Sequence, residues 1–252
     1  MIGLFRKTPK VRRRMLHLQT LPTAIYAVGD IHGRFDLYQR LERQIIEDAA
    51  SIDGQKLLIL LGDLVDRSTG VSGLIDHLLG PDPAGFKRVT LCGNHEDMMC
   101  RFLNDPAKNR AWLDYGGAET LASYGVHHLG AKTPIGTVKH QLTAAIPTDH
   151  RDFLMGLPLS LSVGEYVFAH AYYDLDKSAG AQDATALLWG DPARADHAQK
   201  GRRLIHGHVI VDEARIRPNR ISIDTGAYKT GVLTAVRIRS GEDDPAFLST
   251  KP

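Results

Sequence analysis

The chain has 252 residues, which is enough for one sizeable hydrophobic core. Its 43% hydrophobic and 24% charged residues are ordinary for a globular protein, and a net charge of +2 argues against a surface adapted as a whole to nucleic acid or membranes. The two cysteines, Cys92 and Cys100, form neither a disulfide framework nor a zinc-binding CxxC pair. Because we find no secretory signal and no apolar stretch near the ~20 residues of a membrane span, we expect a cytoplasmic protein.

The first 20 residues differ from the rest of the chain in charge. Six of the first 14 residues are basic, and the apolar stretch that follows them is short. We expect residues 1–20 to form a basic tail that is disordered or lies on the surface, with a docking arm for an anionic membrane or nucleic acid as the alternative. Residues 21–252 contain no linker or internal repeat and are predicted to form a single domain. The basic residues are Arg6, Lys7, Lys10, Arg12, Arg13 and Arg14.

From residue 24 onward, strand and helix patterns alternate. Short apolar runs predict strands, and apolar residues at helical spacing predict helices. The predicted strands are 24–28, 57–61, 88–92, 159–163, 166–169, 204–205, 214–217, 221–224 and 232–238. The predicted helices are 34–50, 71–79 and 96–103, followed by a mostly helical region from about residue 110 to 157. This order predicts an α/β fold in which two mixed β-sheets form a sandwich flanked by helices.

Five short segments place metal-binding residue types directly after apolar runs. Because loops at strand ends are where α/β sheets bind substrates, we expect these segments to converge. A single histidine is more often a core or surface residue than a ligand, but five such segments in one chain favour a metal site. The segments are Gly29–Gly33, Gly62–Arg67, Gly93–Glu96, Phe168–Ala171 and His206–His208.

The residue types in these segments suit divalent ions. Asp30 and His32 are two residues apart, so an extended backbone points both side chains the same way. Asp63 adds a carboxylate that could bridge two ions, and Asn94 adds a neutral oxygen. Carboxylate combined with imidazole suits an ion of intermediate hardness, such as manganese, iron or zinc.

The order of the segments resembles the bacterial phosphoprotein phosphatases (PPP-type serine/threonine phosphatases) of the calcineurin-like metallophosphoesterase superfamily. That family carries the ordered motifs GDxHG, GDxxDR, GNHE, a histidine followed by alanine or glycine, and a later GH. All five occur here between about Tyr26 and Ile238. Segments 112–125 and 219–227 resemble the bacterial branch in particular. The resemblance implies the calcineurin-like two-sheet fold and phosphoester hydrolysis.

Carried over motif by motif, the resemblance implies a dinuclear metal centre. The first ion would be held by Asp30, His32 and Asp63. The second ion would be held by Asp63, Asn94, His170 and His208, with Asp63 bridging. His95, oriented by Asp66, would be the general acid, and Arg67 would bind the phosphate. The expected cofactors are two divalent metal ions, with Mn²⁺ first and iron or zinc as alternatives.

The sequence departs from the family pattern on loops that would contact substrate. Ser68 replaces the usual glycine after the GDxxDR arginine, and Tyr172-Tyr173 is expected to place bulk at the pocket edge. A glycine, Gly190, follows Trp189 where the bacterial branch has a phosphate-binding arginine. Replacement candidates for that arginine are Arg194, Arg202 and Arg203, and His206 is left outside the metal set.

The predicted reaction is hydrolysis of a phosphomonoester by in-line attack of a hydroxide that two metal ions activate. The main hypothesis is a serine/threonine protein phosphatase acting on a phosphorylated protein. One alternative keeps the chemistry and makes the substrate a dinucleoside polyphosphate or another nucleotide. A second alternative, from a different class, is a catalytically silent binding protein with the same fold.

Overall fold

The computed structural model describes residues 13–127, 129 and 133–251. Over these residues the chain forms eleven strands in two sheets, with helices packed outside them. This arrangement confirms the predicted α/β sandwich. Within the same ranges, no helix has both the length and the apolar character needed to cross a membrane.

The strands are β1 (Met15–Leu18), β2 (Ala24–Val28), β3 (Lys56–Leu60), β4 (Phe86–Thr90), β5 (Ser160–Val163), β6 (Tyr166–Ala169), β7 (Arg203–His206), β8 (Arg215–Ile216), β9 (Arg220–Ser222), β10 (Thr234–Arg239) and β11 (Ala246–Ser249). The helices are α1 (Phe35–Asp48), α2 (Val71–Leu79), α3 (Asn94–Asn104), α4 (Gly117–Ser123), α5 (Ile135–Ala145), α6 (Thr148–Gly156), α7 (Ala184–Trp189) and α8 (Ala227–Thr230).

The order of strands in each sheet brings the predicted ligand segments together. One sheet runs β11-β10-β2-β3-β4, and β2, β3 and β4 are parallel to one another. The other sheet runs β1-β5-β6-β7-β9-β8, and β6, β7 and β9 are parallel. Parallel strands end at the same edge of their sheet, so the loops after β2, β3 and β4, and those after β6, β7 and β9, form two adjacent groups.

Strand β2 explains why the central strands are continuous apolar runs in the sequence. Each of its five residues is buried. Because successive side chains of a strand point to opposite faces, Ile25 and Ala27 pack between the two sheets, whereas Tyr26 and Val28 pack beneath the helices. A strand covered on both faces needs apolar residues at every position.

The helical predictions are confirmed, with small shifts at the ends. Helix α2 has the predicted bounds, and α1 buries Leu37, Leu41 and Ile45, which recur at helical spacing along one face. The middle region contains α4, α5 and α6, preceded by a 3₁₀ turn over Arg110–Tyr115. Two strands were not predicted, β1 and β11. Both are four-residue edge strands without a fully buried face, so their sequences carry little periodic signal.

Within the predicted basic tail of residues 1–20, residues 15–18 form strand β1. Strand β1 pairs in parallel with β5 and completes one edge of the six-stranded sheet. The guanidinium of Arg13 donates to the carbonyls of Leu154, Met155 and Leu157 at 2.7, 3.3 and 3.2 Å, at the carboxyl end of α6. These bonds satisfy carbonyls that a helix end leaves without partners. Residues 1–12 lie outside the described residues.

We expect Arg13→Ala to lower the free energy of unfolding by about 2 kcal/mol, because hydrogen bonds from a charged donor contribute ~1.5–3 kcal/mol. The measurement is urea denaturation followed by circular dichroism. Arg14→Ala is the matched control, since the side chain of Arg14 is exposed, and it should change stability by less than ~0.5 kcal/mol. Equal stability of the two variants would contradict a structural role for Arg13.

Candidate active site

The nine residues predicted to form the site lie together at the ends of β2, β3, β4, β6 and β7. A cavity of about 190 Å³ opens at this point. Two of the nine, Asp66 and His170, lie behind the cavity wall, where they contact His95 and Asn94 respectively. The other seven line the cavity directly: Asp30, His32, Asp63, Arg67, Asn94, His95 and His208.

Asp63 lies at the centre of the site, and its two carboxylate oxygens face different histidines. Oδ2 is 3.5 Å from Nε2 of His32 and 3.9 Å from Nε2 of His95. Oδ1 is 3.4 Å from Nε2 of His170. Two groups of metal-ligating atoms share this carboxylate, one with His32 and His95 and the other with His170 and His208. Such an arrangement is what a bridging ligand requires.

Asn94 links the two histidines that come from the other sheet. Its Oδ1 is 2.8 Å from Nε2 of His170 and 3.1 Å from Nδ1 of His208. The other ring nitrogen of His170 is 3.1 Å from the Leu61 carbonyl, a contact that orients the ring with Nε2 towards Asn94 and Asp63. His32 is oriented in the same way by the Val65 carbonyl, at 2.9 Å from Nδ1. A backbone acceptor on the second nitrogen is typical of metal-binding histidines.

The ionisation of the site fits divalent cations. Burial lowers the pKa of His32 to about 3 and that of His170 to about 4, so both imidazoles are neutral near pH 7 and available as ligands. Burial, together with the charges of Asp224 and Asp63, raises the pKa of Asp30 well above its ordinary value. These three carboxyl groups are at most 4% exposed, and cations would relieve their mutual repulsion.

The backbone of the site is held in an unfavourable conformation. Positive φ angles cost on the order of 1–3 kcal/mol per non-glycine residue, and they persist only where surrounding contacts enforce them. Every non-glycine residue with positive φ in the described ranges is one of the nine. These residues are His32 (47°), Asp63 (48°), Asp66 (75°), Arg67 (70°) and His208 (65°).

Two glycines allow the loops to approach one another. A Cβ atom at Gly93 would collide with Oδ1 of Asp63, and one at Gly207 would collide with Oδ1 of Asp30. The absence of a side chain at these positions lets the backbone after β4 and after β7 close over the carboxylates. The ring nitrogens of the neighbouring histidines can then lie close to the Asp63 carboxylate.

Glu96 holds two of the loops against each other. Its carboxylate is fully buried and accepts hydrogen bonds from the backbone N–H groups of Gly93, Asp63, Leu64 and Val65 at 2.7–3.1 Å. Burial and the charge of Asp63 raise the pKa of Glu96 to about 7, whereas the N–H donors act in the opposite direction. Because every one of these contacts is a donor to Glu96, the carboxylate form fits the geometry.

Asp66, His95 and Arg67 form a linked group beside Asp63. Oδ2 of Asp66 is 2.6 Å from Nδ1 of His95, and the guanidinium of Arg67 is 3.1 Å from Nε2 of His95. This geometry fits a neutral ring with its proton on Nδ1. Burial disfavours the protonated ring, but Asp63 and Asp66 outweigh that effect and raise the pKa of His95 above its ordinary value. A histidine tuned in this direction is suited to donate a proton near neutral pH.

The Arg67 guanidinium stacks 4.4 Å above the ring of Tyr228, a residue of α8. Stacking holds the planar group in place and leaves its N–H edges available for phosphate oxygens. The three arginines considered as a second phosphate ligand have structural partners instead. Arg194 stacks on Tyr172, Arg202 stacks on Tyr173, and Arg203 donates to the Pro218 carbonyl. The described lining of the cavity includes none of them.

The aromatic residues at the mouth of the cavity are not the predicted ones. Tyr172 and Tyr173 were expected at the pocket edge, but they are 7% and 2% exposed and pack in the core. The cavity is lined instead by Tyr115 and Trp189, which are 57% and 46% exposed. Trp189 lies edge-on to His208, with 6.2 Å between the ring centroids.

Several residues of the site received no role from the sequence. Glu96 had a recognisable signal, because a glutamate in the first turn of a helix can accept a hydrogen bond from the backbone that precedes the helix, and Glu96 accepts from the Gly93 N–H at 2.7 Å. Trp112 and Thr120 lie in a segment that resembles the bacterial branch, but nothing in their spacing reveals what they contact. His206 does not face the cavity. Its ring nitrogens contact the Gly207 carbonyl and Ser222 Oγ, both at 2.8 Å.

The chain is similar in sequence to known phosphoesterases. The family model described as calcineurin-like phosphoesterase matches residues 23–212. The asymmetrical bis(5'-nucleosyl)-tetraphosphatase PrpE of Anoxybacillus flavithermus is 29% identical over 230 residues, covering 83% of this chain and 88% of that protein. Serine/threonine-protein phosphatase 2 of Salmonella typhimurium is 30% identical over 225 residues, covering 85% and 93%.

The fold also matches solved structures. The crystal structure of a candidate diadenosine tetraphosphatase superimposes with a TM-score of 0.63 at 17% identity, covering 94% of this chain and 97% of the other. At that identity the likeness concerns the fold alone.

We expect His208→Ala to bind one divalent ion fewer than the wild-type chain, because it removes a nitrogen that converges with Asp63 and His170. Metal content after equilibration with Mn²⁺ is measured by mass spectrometry on folded protein. His206→Gln is the matched control from the same segment and should bind as many ions as the wild-type chain. Loss of an ion from His206→Gln, with none lost from His208→Ala, would show that the wrong histidine had been assigned.

Proposed function

Because the chain belongs to the calcineurin-like phosphoesterase family, we propose that the nine clustered residues form an active site. This site would bind two divalent ions and hydrolyse a phosphomonoester. The chain is a phosphoric ester hydrolase by family and by its relatives, so the alternative of a silent binding protein is set aside. The proposed ligands of the first ion are Asp30, His32 and Asp63. The proposed ligands of the second are Asp63, Asn94, His170 and His208.

One observation carries the proposal: the two oxygens of the Asp63 carboxylate face His32 and His170 separately, at 3.5 and 3.4 Å. A carboxylate with an imidazole on each side can bridge two ions. When bound, the ions act as Lewis acids and lower the pKa of a water molecule, which makes hydroxide available near pH 7. We propose Mn²⁺ in both sites, with iron or zinc as alternatives, since carboxylate, amide and imidazole donors suit ions of intermediate hardness.

Arg67 is the proposed phosphate ligand. Its guanidinium lies at the cavity wall, stacked on Tyr228 and 3.1 Å from His95, so its donors face the space beside the general acid. A planar fork of N–H groups matches two oxygens of a phosphate group. The left-handed backbone of Arg67 is stabilised by a hydrogen bond from its N–H to the Gly116 carbonyl at 3.1 Å.

His95 is the proposed general acid. In the observed geometry, Nδ1 faces Asp66 and Nε2 faces the cavity side, where Arg67 approaches it. A second proton on Nε2 would be delivered to the leaving oxygen as the phosphorus–oxygen bond breaks, and His95 would then return to the neutral form. Asp66 holds the ring and stabilises its protonated state.

We propose a serine/threonine phosphoprotein as the substrate. The ordered motifs resemble PPP-type phosphatases, and the Salmonella relative named as a serine/threonine-protein phosphatase aligns over most of both chains. A phosphoserine or phosphothreonine leaves as an alkoxide, which needs protonation more than an aryl oxide does. The His95–Asp66 pair supplies such a proton donor.

A dinucleoside polyphosphate or another nucleotide is the second candidate, and a specific observation favours it. Tyr115 and Trp189 are large exposed aromatic residues on the cavity wall, and exposed aromatic rings commonly stack on nucleobases. The PrpE relative, named as a bis(5'-nucleosyl)-tetraphosphatase, supports the same reading.

A cytoplasmic location remains our proposal. Cys92 and Cys100 are both buried and unpaired, as is usual in a reducing compartment. The prediction of a single domain over residues 21–252 is kept as a proposal too, with residues 13–18 now added to it.

We expect His95→Asn to reduce turnover of an alkyl phosphate by about 10²–10⁴-fold, because it removes the proton donor for the leaving oxygen. Turnover of p-nitrophenyl phosphate should fall much less, since that leaving group needs little protonation. Both rates are measured on Mn²⁺-loaded protein of matched metal content. Equal losses on the two substrates would contradict a general-acid role for His95.

The substrate is decided by steady-state kinetics on a phosphoserine peptide and on diadenosine tetraphosphate, using wild type and Trp189→Ala. If the nucleotide is the substrate, Trp189→Ala should weaken its kcat/KM by about 5–150-fold, because stacking on one base contributes ~1–3 kcal/mol. The control is Ile216→Ala, an exposed apolar residue outside the cavity lining. Faster hydrolysis of the peptide, unaffected by Trp189→Ala, would favour the protein phosphatase.

A further inference from the structure

Asp66 accepts hydrogen bonds from three side chains, and only one of them belongs to the proposed catalytic group. Its Oδ2 accepts from Trp112 Nε1 at 2.7 Å, in addition to the 2.6 Å contact with His95. Its Oδ1 accepts from Thr120 Oγ1 at 2.8 Å. Asp66 is fully buried, so these donors replace water around the carboxylate.

We propose that Trp112 and Thr120 are positioning residues that fix the plane of the Asp66 carboxylate and, through it, the ring of His95. This inference rests on the proposed role of His95 as general acid. Neither residue lines the cavity, so neither contacts substrate in this arrangement. Both act through Asp66.

Thr120 forms hydrogen bonds with both the backbone and the carboxylate of Asp66. The backbone N–H of Asp66 donates to Thr120 Oγ1 at 2.8 Å, so one lone pair of the hydroxyl oxygen is the acceptor of this hydrogen bond. Its own proton is then directed to Oδ1 of Asp66. One hydroxyl thereby stabilises the left-handed backbone of Asp66, at φ 75°, and one oxygen of its carboxylate.

Trp112 is held so that its N–H points at Asp66. Its ring packs 4.9 Å from the ring of Phe102, and Gly117 leaves no room for a side chain between α4 and the indole. Gly116, with φ 103°, makes the turn that places the 3₁₀ segment of Trp112 beside α4, which carries Thr120. Trp112 and Thr120, on either side of the turn at Gly116, therefore donate to different oxygens of the Asp66 carboxylate.

The arrangement has a consequence for the His95 ring. With Oδ2 shared between His95 and Trp112, and Oδ1 bound by Thr120, the carboxylate cannot rotate without breaking a buried hydrogen bond. A fixed carboxylate keeps Nδ1 of His95 protonated and Nε2 directed at the cavity. Removal of either donor should therefore impair proton donation while the metal ligands stay in place.

The test compares Trp112→Phe and Thr120→Val with matched controls. Thr120→Ser retains the hydroxyl, and Phe102→Leu alters the packing of Trp112 without removing its N–H. The readout is the ratio of kcat on p-nitrophenyl phosphate to kcat on an alkyl phosphate, measured on Mn²⁺-loaded protein with metal content determined in parallel. We expect the ratio to rise by at least about 10-fold in Trp112→Phe and Thr120→Val, since proton donation contributes ~10²–10⁴ in rate. Thr120→Ser should stay within about two-fold of wild type, and Phe102→Leu should raise the ratio less than Trp112→Phe does, because the indole N–H is retained.

His95→Asn, measured alongside, separates this inference from the proposed function. If His95→Asn raises the ratio while Trp112→Phe and Thr120→Val slow both substrates equally, the positioning role is overturned and the general acid stands. If His95→Asn leaves the ratio unchanged, the proposed general acid itself fails. Should Thr120→Val not fold, Trp112→Phe against Phe102→Leu decides the question.

Discussion

The site depends on one buried carboxylate, that of Glu96, which accepts four backbone N–H groups from two different loops. A backbone N–H buried without a partner costs ~1–3 kcal/mol, so this side chain offsets a large penalty at a single point. Three of the four donors follow β3, and the fourth belongs to Gly93 at the start of α3. The segment that carries Asp63 and the segment that carries Asn94 are thereby held in one geometry.

Because the loops are held in this way, unfavourable backbone conformations persist at residues of the proposed site. Left-handed backbone at consecutive residues Asp66 and Arg67 would relax in an isolated loop. Here the Asp66 N–H is bound by Thr120 and the Arg67 N–H by Gly116, so the strained turn is stabilised from the 110–123 region. The helical middle of the chain is therefore part of the site, although Tyr115 is the one residue of its described part that lines the cavity.

The buried strands and the ligand segments could be predicted from the sequence because both have local signatures. The strand after Thr23 is apolar at each position, and glycine next to Asp or His marks a loop that must approach an ion closely. The edge strands β1 and β11 have no such signature, since a four-residue, half-exposed run is ordinary in a loop as well. Contacts made across sequence, such as Trp112 with Asp66, depend on tertiary packing that no spacing in the sequence encodes.

The proposed second ion would take its ligands from both sheets of the sandwich. Asp63 and Asn94 follow strands of the five-stranded sheet, whereas His170 and His208 follow strands of the six-stranded sheet. Its coordination shell can be completed only after the two layers have docked through their shared apolar interface. Binding of the ion at that position would stabilise the docked arrangement of the two layers. The thermal stability of the fold would then depend on the concentration of the ion in the cell.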